Sequence, residues 1–235
     1  MTVHGRIWQP NAKTVRIANW QLKTAMAITG LIMAAFVLVH MLGNLKIFSS
    51  AQEYNAYSQW LREAFTPLLP YEGLLWLARL VLGACLAIHV IAALMVWARS
   101  RGNSGNARVR HRKGWLAKLM LPTGAVLLLF VVLHILDLTV GKLVAPSQFQ
   151  HPDPQFHAAA NLVASLDRPV MAGFYLFMLL ALAIHLTHGI ELAINDLGTT
   201  SETGRKWARI IAMATAVLIL VGDAAVVLSA NLGVV

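Results

Sequence analysis

The chain has 235 residues, of which 58% are hydrophobic and only 12% are charged. A soluble domain runs at about 45–50% apolar and about 25% charged. That deficit of charge excludes a soluble enzyme, a nucleic-acid-binding domain and a disordered chain, even though the formal net charge is +9. The single cysteine, Cys85, excludes an internal disulfide framework and any four-cysteine metal centre built by this chain alone.

Five apolar runs follow one another: Thr24–Leu45, Gly73–Trp97, Leu116–Val140, Pro169–Ile194 and Trp207–Leu232. Each reaches the roughly 20 residues that a spanning helix needs. Residues 1–19 are polar, and the first apolar run is too long for a signal peptide. The alternation of a membrane barrel is absent. The reading is an all-α integral membrane bundle of five transmembrane helices, forming one domain over residues 1–235. No internal repeat and no low-complexity segment stands out. Between the first two runs, Phe48–Glu72 carries Tyr54, Tyr57, Trp60 and Tyr71. It reads as a short amphipathic helix at the membrane interface, where aromatic rings settle.

The basic residues sort by side. Arg6, Lys13, Arg16 and Lys23 precede the first run. Arg99, Arg101, Arg108, Arg110, Arg112, Lys113 and Lys118 lie between the second and third, and Arg205, Lys206 and Arg209 between the fourth and fifth. These fourteen share one face of the membrane. The other face has Lys46, Arg62, Lys142 and Arg168, mixed with Glu53, Glu63, Glu72, Asp153 and Asp167. Positive charge stays inside, so the N-terminus is expected in the cytoplasm of a bacterial cell, with the chain a multi-pass protein of the inner (plasma) membrane.

Five of the nine histidines fall within apolar runs: His40, His89, His134, His185 and His188. Ionisable groups at membrane depth are costly and mark function. A helix rises about 1.5 Å per residue, which puts His40 about 25 Å and His134 about 24 Å from the basic side. The same rise puts His89 about 15 Å, His185 about 16 Å and His188 about 12 Å from it. Two layers result: an outer pair, His40 with His134, and an inner pair, His89 with His185 or His188. Two bis-histidine haem b groups suit that pattern. Gly43, one turn from His40, and Gly189, beside His188, offer room for a flat macrocycle. A rival is one membrane-embedded [2Fe–2S] centre. Cys85 and His89 share a helix face at i, i+4, while His134 and Asp137 are spaced i, i+3. Such centres take two cysteines, so a carboxylate would have to substitute.

The ordered segments LVHMLGNLKIF (38–48), LLPYEGLLWLARL (68–80), AIHVIAAL (87–94), VVLHILDLT (131–139) and LAIHLTHG (182–189) resemble the five-helix, single-chain cytochrome b membrane anchor of succinate dehydrogenase and fumarate reductase, respiratory complex II. The resemblance runs from Trp20 to about Gly222. It implies an anchor subunit, not catalytic alone, that seats a flavoprotein subunit and an iron–sulfur subunit on the cytoplasmic face and passes electrons to quinone. It implies a far haem on His40 and His134 and a near haem on His89 and His188, with His185 the alternative ligand. Many dihaem relatives carry a second histidine where this chain has Asp137. Together with Cys85, that keeps the [2Fe–2S] alternative open.

The character of the sequence favours menaquinone. Candidate quinone contacts on the basic side are Trp20, Lys23, Thr24, His111 and Trp115, and on the outer side Asn44, Tyr54, Tyr57 and Arg62. Glu191 extends the stripe His185–His188–Glu191 as a proton relay or an interfacial acid. The partners expected are the two soluble subunits, the bilayer and quinone, and no nucleic acid; a higher oligomer of the complex stays open. Rival functions are the cytochrome b subunit of a hydrogenase or nitrate reductase, and a non-redox transporter.

Overall fold

The computed structural model describes residues 17–102, 114–151 and 156–235. Seven helices follow in chain order: α1 (Asn19–Asn44), α2 (Ala51–Glu63), α3 (Gly73–Gly102), α4 (Trp115–Ile135), α5 (Ala158–Leu166), α6 (Pro169–Asp196) and α7 (Glu202–Asn231). Five of them are long and apolar enough to cross a membrane. The fold is an all-α membrane bundle, and the protein is multi-pass. Helices are the natural choice, because a lipid core offers backbone groups no other hydrogen-bond partner.

The helices outrun the apolar stretches at the basic end. α1 starts at Asn19 and α7 at Glu202, where the Ser201 hydroxyl accepts from the Gly204 amide at 3.0 Å. Capping lets a polar first turn stay helical. The expected interfacial helix is α2, whose start is capped by the Ser50 hydroxyl accepting from Glu53 N at 3.0 Å. Two features were not legible as runs. α5 is a short helix on the far side, before α6. Beyond Ile135, α4 widens into a π turn over Leu136–Val140, closed by Gly141 at φ +68. A side chain at Gly141 would collide with the Phe149 ring.

α1, α6 and α7 form the packed centre. Ala208, Ala212 and Ala216 are buried along one stripe of α7, and small residues let membrane helices approach closely. Ala34, Leu186, Ile190 and Ile219 complete this core. A second core at the far end joins Ile47, α5, α6 and the last turns of α7. α3 leans on α1, and α4 leans on α6. Among the described residues no substantial packing joins α3 to α4, α1 to α4, or α3 to α6. Helices α3, α1, α6 and α4 therefore make an open ring with its gap between α3 and α4. These two are the least buried of the five spans.

At the basic end, ion pairs tie the ring together. Lys23 meets Asp196 at 3.2 Å, and Arg209 meets Glu191 at 3.1 Å. Arg99 reaches back to the Ile17 carbonyl and the Asn19 side chain, both at 2.7 Å.

Candidate functional site: two histidine pairs across the bundle

The histidines bridge the two diagonals of the ring. His40 on α1 faces His134 on α4, with ring centroids 5.9 Å apart. His89 on α3 faces His185 on α6 at 6.5 Å. Neither diagonal is closed by helix packing, so imidazoles occupy the space that side chains would otherwise fill. The inner partner of His89 is thus His185; the pairing of His89 with His188, carried over from the family likeness, is not the one the structure makes. His188 lies one turn closer to the basic end of α6.

Each inner imidazole is seated on a threonine hydroxyl of the neighbouring helix. The Thr29 hydroxyl donates to the Ala25 carbonyl at 2.7 Å, which leaves its oxygen to accept from His89 Nδ1 at 3.4 Å. The Met26 carbonyl, an acceptor only, lies 3.0 Å from the same nitrogen. The Thr123 hydroxyl donates to the Leu119 carbonyl at 2.6 Å, and its oxygen faces His185 Nδ1 at 3.1 Å. Next to each threonine stands a glycine. A Cβ on Gly30 would come 3.1 Å from His89 Cε1, and one on Gly124 would come 3.4 Å from His185 Cε1. With Nδ1 holding the proton, Nε2 keeps a free lone pair at both positions.

This symmetry corrects the sequence reading, which saw no repeat. Thr29-Gly30 precedes His40 by the same eleven residues that separate Thr123-Gly124 from His134. Leu86-Ala87-Ile88-His89 recurs as Leu182-Ala183-Ile184-His185. The pair α1–α3 is thus repeated as α4–α6, and α7 stands outside the repeat. The signal was present, but the apolar background hides a four-residue match unless the histidines are aligned first.

The outer pair is seated differently. His134 Nδ1 lies 3.4 Å from the Tyr175 hydroxyl, and that hydroxyl donates to Asp137 Oδ2 at 2.9 Å. Asp137 is fully buried and also receives Arg168 Nη2 at 2.9 Å and the Ser165 hydroxyl. His40 stacks on Phe36 at 5.6 Å, one turn back on α1. On the other side of α1, Asn44 Nδ2 donates to Asp223 Oδ1 of α7 at 3.0 Å. Burial, then Asp223 and Tyr57, push the Tyr54 phenol up to about 12. It stays protonated and points at Asn44 Oδ1, 3.5 Å away.

Several expected site residues have other work. Asp137 is engaged by Arg168, Ser165 and Tyr175. Cys85 is buried in α3, and among the described residues no three His, Cys, Asp or Glu side chains gather around one point. Gly43 takes the Tyr57 ring, which a Cβ there would meet at 2.8 Å, and Gly189 meets only Met120 at 3.7 Å. The glycines beside the imidazoles are Gly30 and Gly124 instead. Arg62 pairs with Glu72 at 3.2 Å, and Tyr57 stacks on Trp60 under Lys46. Glu191 is spent on Arg209.

Of the basic-side quinone candidates, Trp20 and Trp115 are exposed at the starts of α1 and α4. Lys23 is held by Asp196, and Thr24 is half-buried. His111 lies outside the described residues. An open pocket of about 500 Å³ sits at the far end, lined by Pro146, Gln148, Asp167 and Arg168 among others.

The donor sets fit a haem. Each pair brings two imidazoles within 5.9 or 6.5 Å, ring centroid to ring centroid, with Nδ1 engaged on His89, His185 and His134. Two nitrogens per site suit a metal whose other four positions a macrocycle supplies, and Nδ1 partners are what a ligating imidazole requires.

Fold and site together define a membrane-spanning helical bundle with two stacked histidine pairs. Residues 107–222 match the family described as the succinate dehydrogenase/fumarate reductase transmembrane subunit. The match runs from the segment before α4 into α7, and so covers the second repeat unit. No curated protein matches the chain, and no solved structure matches it.

Proposed function

We propose that the chain is a membrane-anchor subunit of a succinate dehydrogenase/fumarate reductase complex and carries electrons between an iron–sulfur partner and quinone. Two haem b groups would sit on His40 with His134 and on His89 with His185. The observation that carries this reading is the seating of the imidazoles: three of the four have Nδ1 engaged and Nε2 free, in pairs across unpacked diagonals. The family match over residues 107–222 supports the same role, and the repeat extends its pattern to the first half of the chain.

Haem, when bound, supplies an iron that changes oxidation state by one electron. The chain does the rest. Thr29 and Thr123 orient the inner imidazoles, and Tyr175 orients one of the outer pair. Gly30 and Gly124 admit the rings. The apolar flanks of α3 and α4 exclude water. The basic end, where Lys23, Arg99, Lys118, Arg205, Lys206 and Arg209 lie, faces the cytoplasm and seats the flavoprotein and iron–sulfur subunits. Menaquinone is taken near Trp20, Thr24 and Trp115, close to the electron donor.

The test is pigment and metal analysis of the purified complex. About two haems per chain in a reduced-minus-oxidised spectrum support the reading. Non-haem iron and sulfide beyond the soluble subunit's share would replace the inner haem with a [2Fe–2S] centre. Co-purification with a succinate-oxidising flavoprotein separates this anchor from a hydrogenase or nitrate reductase cytochrome, and a preparation with no redox centre would point to a transporter.

A further inference from the structure

The far end of the bundle holds a buried carboxylate that electron carriage does not itself require. Burying a charge is expensive unless it is paired and hydrogen-bonded, and Asp137 has both kinds of partner. Arg168 meets Oδ1 at 2.9 Å, while Tyr175 and Ser165 donate to Oδ2. Arg168 is itself fixed by the Val144 carbonyl at 2.7 Å and the Ser165 carbonyl at 3.1 Å. The π turn, the following loop and α5 therefore all hold this one group.

A carboxylate only accepts hydrogen bonds. The proton of the Tyr175 phenol is accordingly committed to Asp137, and its oxygen faces His134 Nδ1 as an acceptor. Only the Nδ1–H tautomer of His134 satisfies both contacts. His40, opposite, stacks on Phe36, and among the described residues no side-chain hydroxyl holds it in this way. The orientation of the outer pair therefore rests on His134.

We propose that Asp137, acting through Tyr175, is the positioning group of the outer site, holding His134 with Nδ1 protonated and Nε2 left as the ligating atom. This inference rests on the haem assignment of the outer pair. A purely structural role, pinning α5 onto α4 and α6, is the alternative, and removal of Asp137 would not separate the two. Tyr175→Phe does, because it leaves the Asp137–Arg168–Ser165 contacts in place and removes only the phenol oxygen.

The experiment uses the whole purified complex as wild type, Tyr175→Phe and Thr123→Val. It records haem per chain, a redox titration followed optically, and the low-temperature magnetic resonance signals of the oxidised haems. In Tyr175→Phe one of the two components should change its midpoint and resonance signal and hold haem about 10–100-fold more weakly, while the other stays as in wild type. Thr123→Val should alter the other component. Two unchanged components in Tyr175→Phe would overturn the proposal, and joint loss of both would overturn it in favour of the structural role. A wild-type complex without haem is a separate outcome that overturns the parent assignment and this one with it.

Discussion

At the inner level, His89 and His185 each rest on a threonine of the neighbouring helix, with a glycine beside it, and the two halves of the site are related by the repeat. At the outer level, His134 leans on a tyrosine tied to a buried ion pair, and His40 stacks on a phenylalanine of its own helix. The inner imidazoles are thus oriented by neutral hydroxyls and a carbonyl, and His134 by a charged network. The threonines sit on the same helices as the outer histidines, so α1 and α4 each serve both levels. The likeness does not reach the far end. There Asp137, Ser165, Arg168 and Tyr175 lie beside His134, while the first half ends at Asn44 and Tyr54, beside Asp223 of α7.

The largest effect should come from removing an inner ligand. His89→Ala or His185→Ala should abolish quinone reduction while leaving succinate oxidation by artificial dyes intact, and His188→Ala should leave both near wild type. Loss of quinone reduction in the His188 variant alone would break the inner pairing. Next comes Asp137→Ala, which leaves Arg168 without its partner. Breaking a buried ion pair costs about 3–5 kcal/mol, with the lower end expected because Arg168 is 34% exposed. A thermal or denaturant melt of the purified complex measures it, and an unchanged midpoint would show the pair to be dispensable.

Gly30→Ala and Gly124→Ala come third. Overpacking costs about 1–3 kcal/mol, and the added carbon sits closer to His89 than to His185. The Gly30 variant should therefore perturb the inner spectrum more, and the reverse order would argue against equivalent seats. The smallest effects belong to the hydroxyls, since a neutral hydrogen bond contributes about 1 kcal/mol. Thr123→Val should disturb the inner centre more than Thr29→Val, because His89 Nδ1 keeps the Met26 carbonyl at 3.0 Å. Equal shifts in a redox titration would erase that distinction.

Much of this was legible in the chain. Apolar length set the five spans, because lipid permits few alternatives for a run of that composition. The sorting of lysine and arginine gives an expected orientation. The rise of a helix placed His40 with His134 and put His89 at the depth of His185. The choice between His185 and His188 needed more, since both lie within one turn on the same stripe of α6 and differ only in where Thr123 and Gly124 of α4 arrive. Gly43 illustrates the same limit: one turn from His40 in sequence, it faces α2 and admits Tyr57.

Sequence by itself determined that this is a helical membrane protein with histidines at two depths, because hydropathy and helical rise are properties of one segment at a time. Tertiary structure alone decided which histidines meet, which nitrogen each keeps free, and that Asp137 serves a tyrosine and an arginine. Those facts depend on contacts between residues 28 to 96 positions apart. Their distances are fixed by how the helices pack against one another, and no local pattern records that packing.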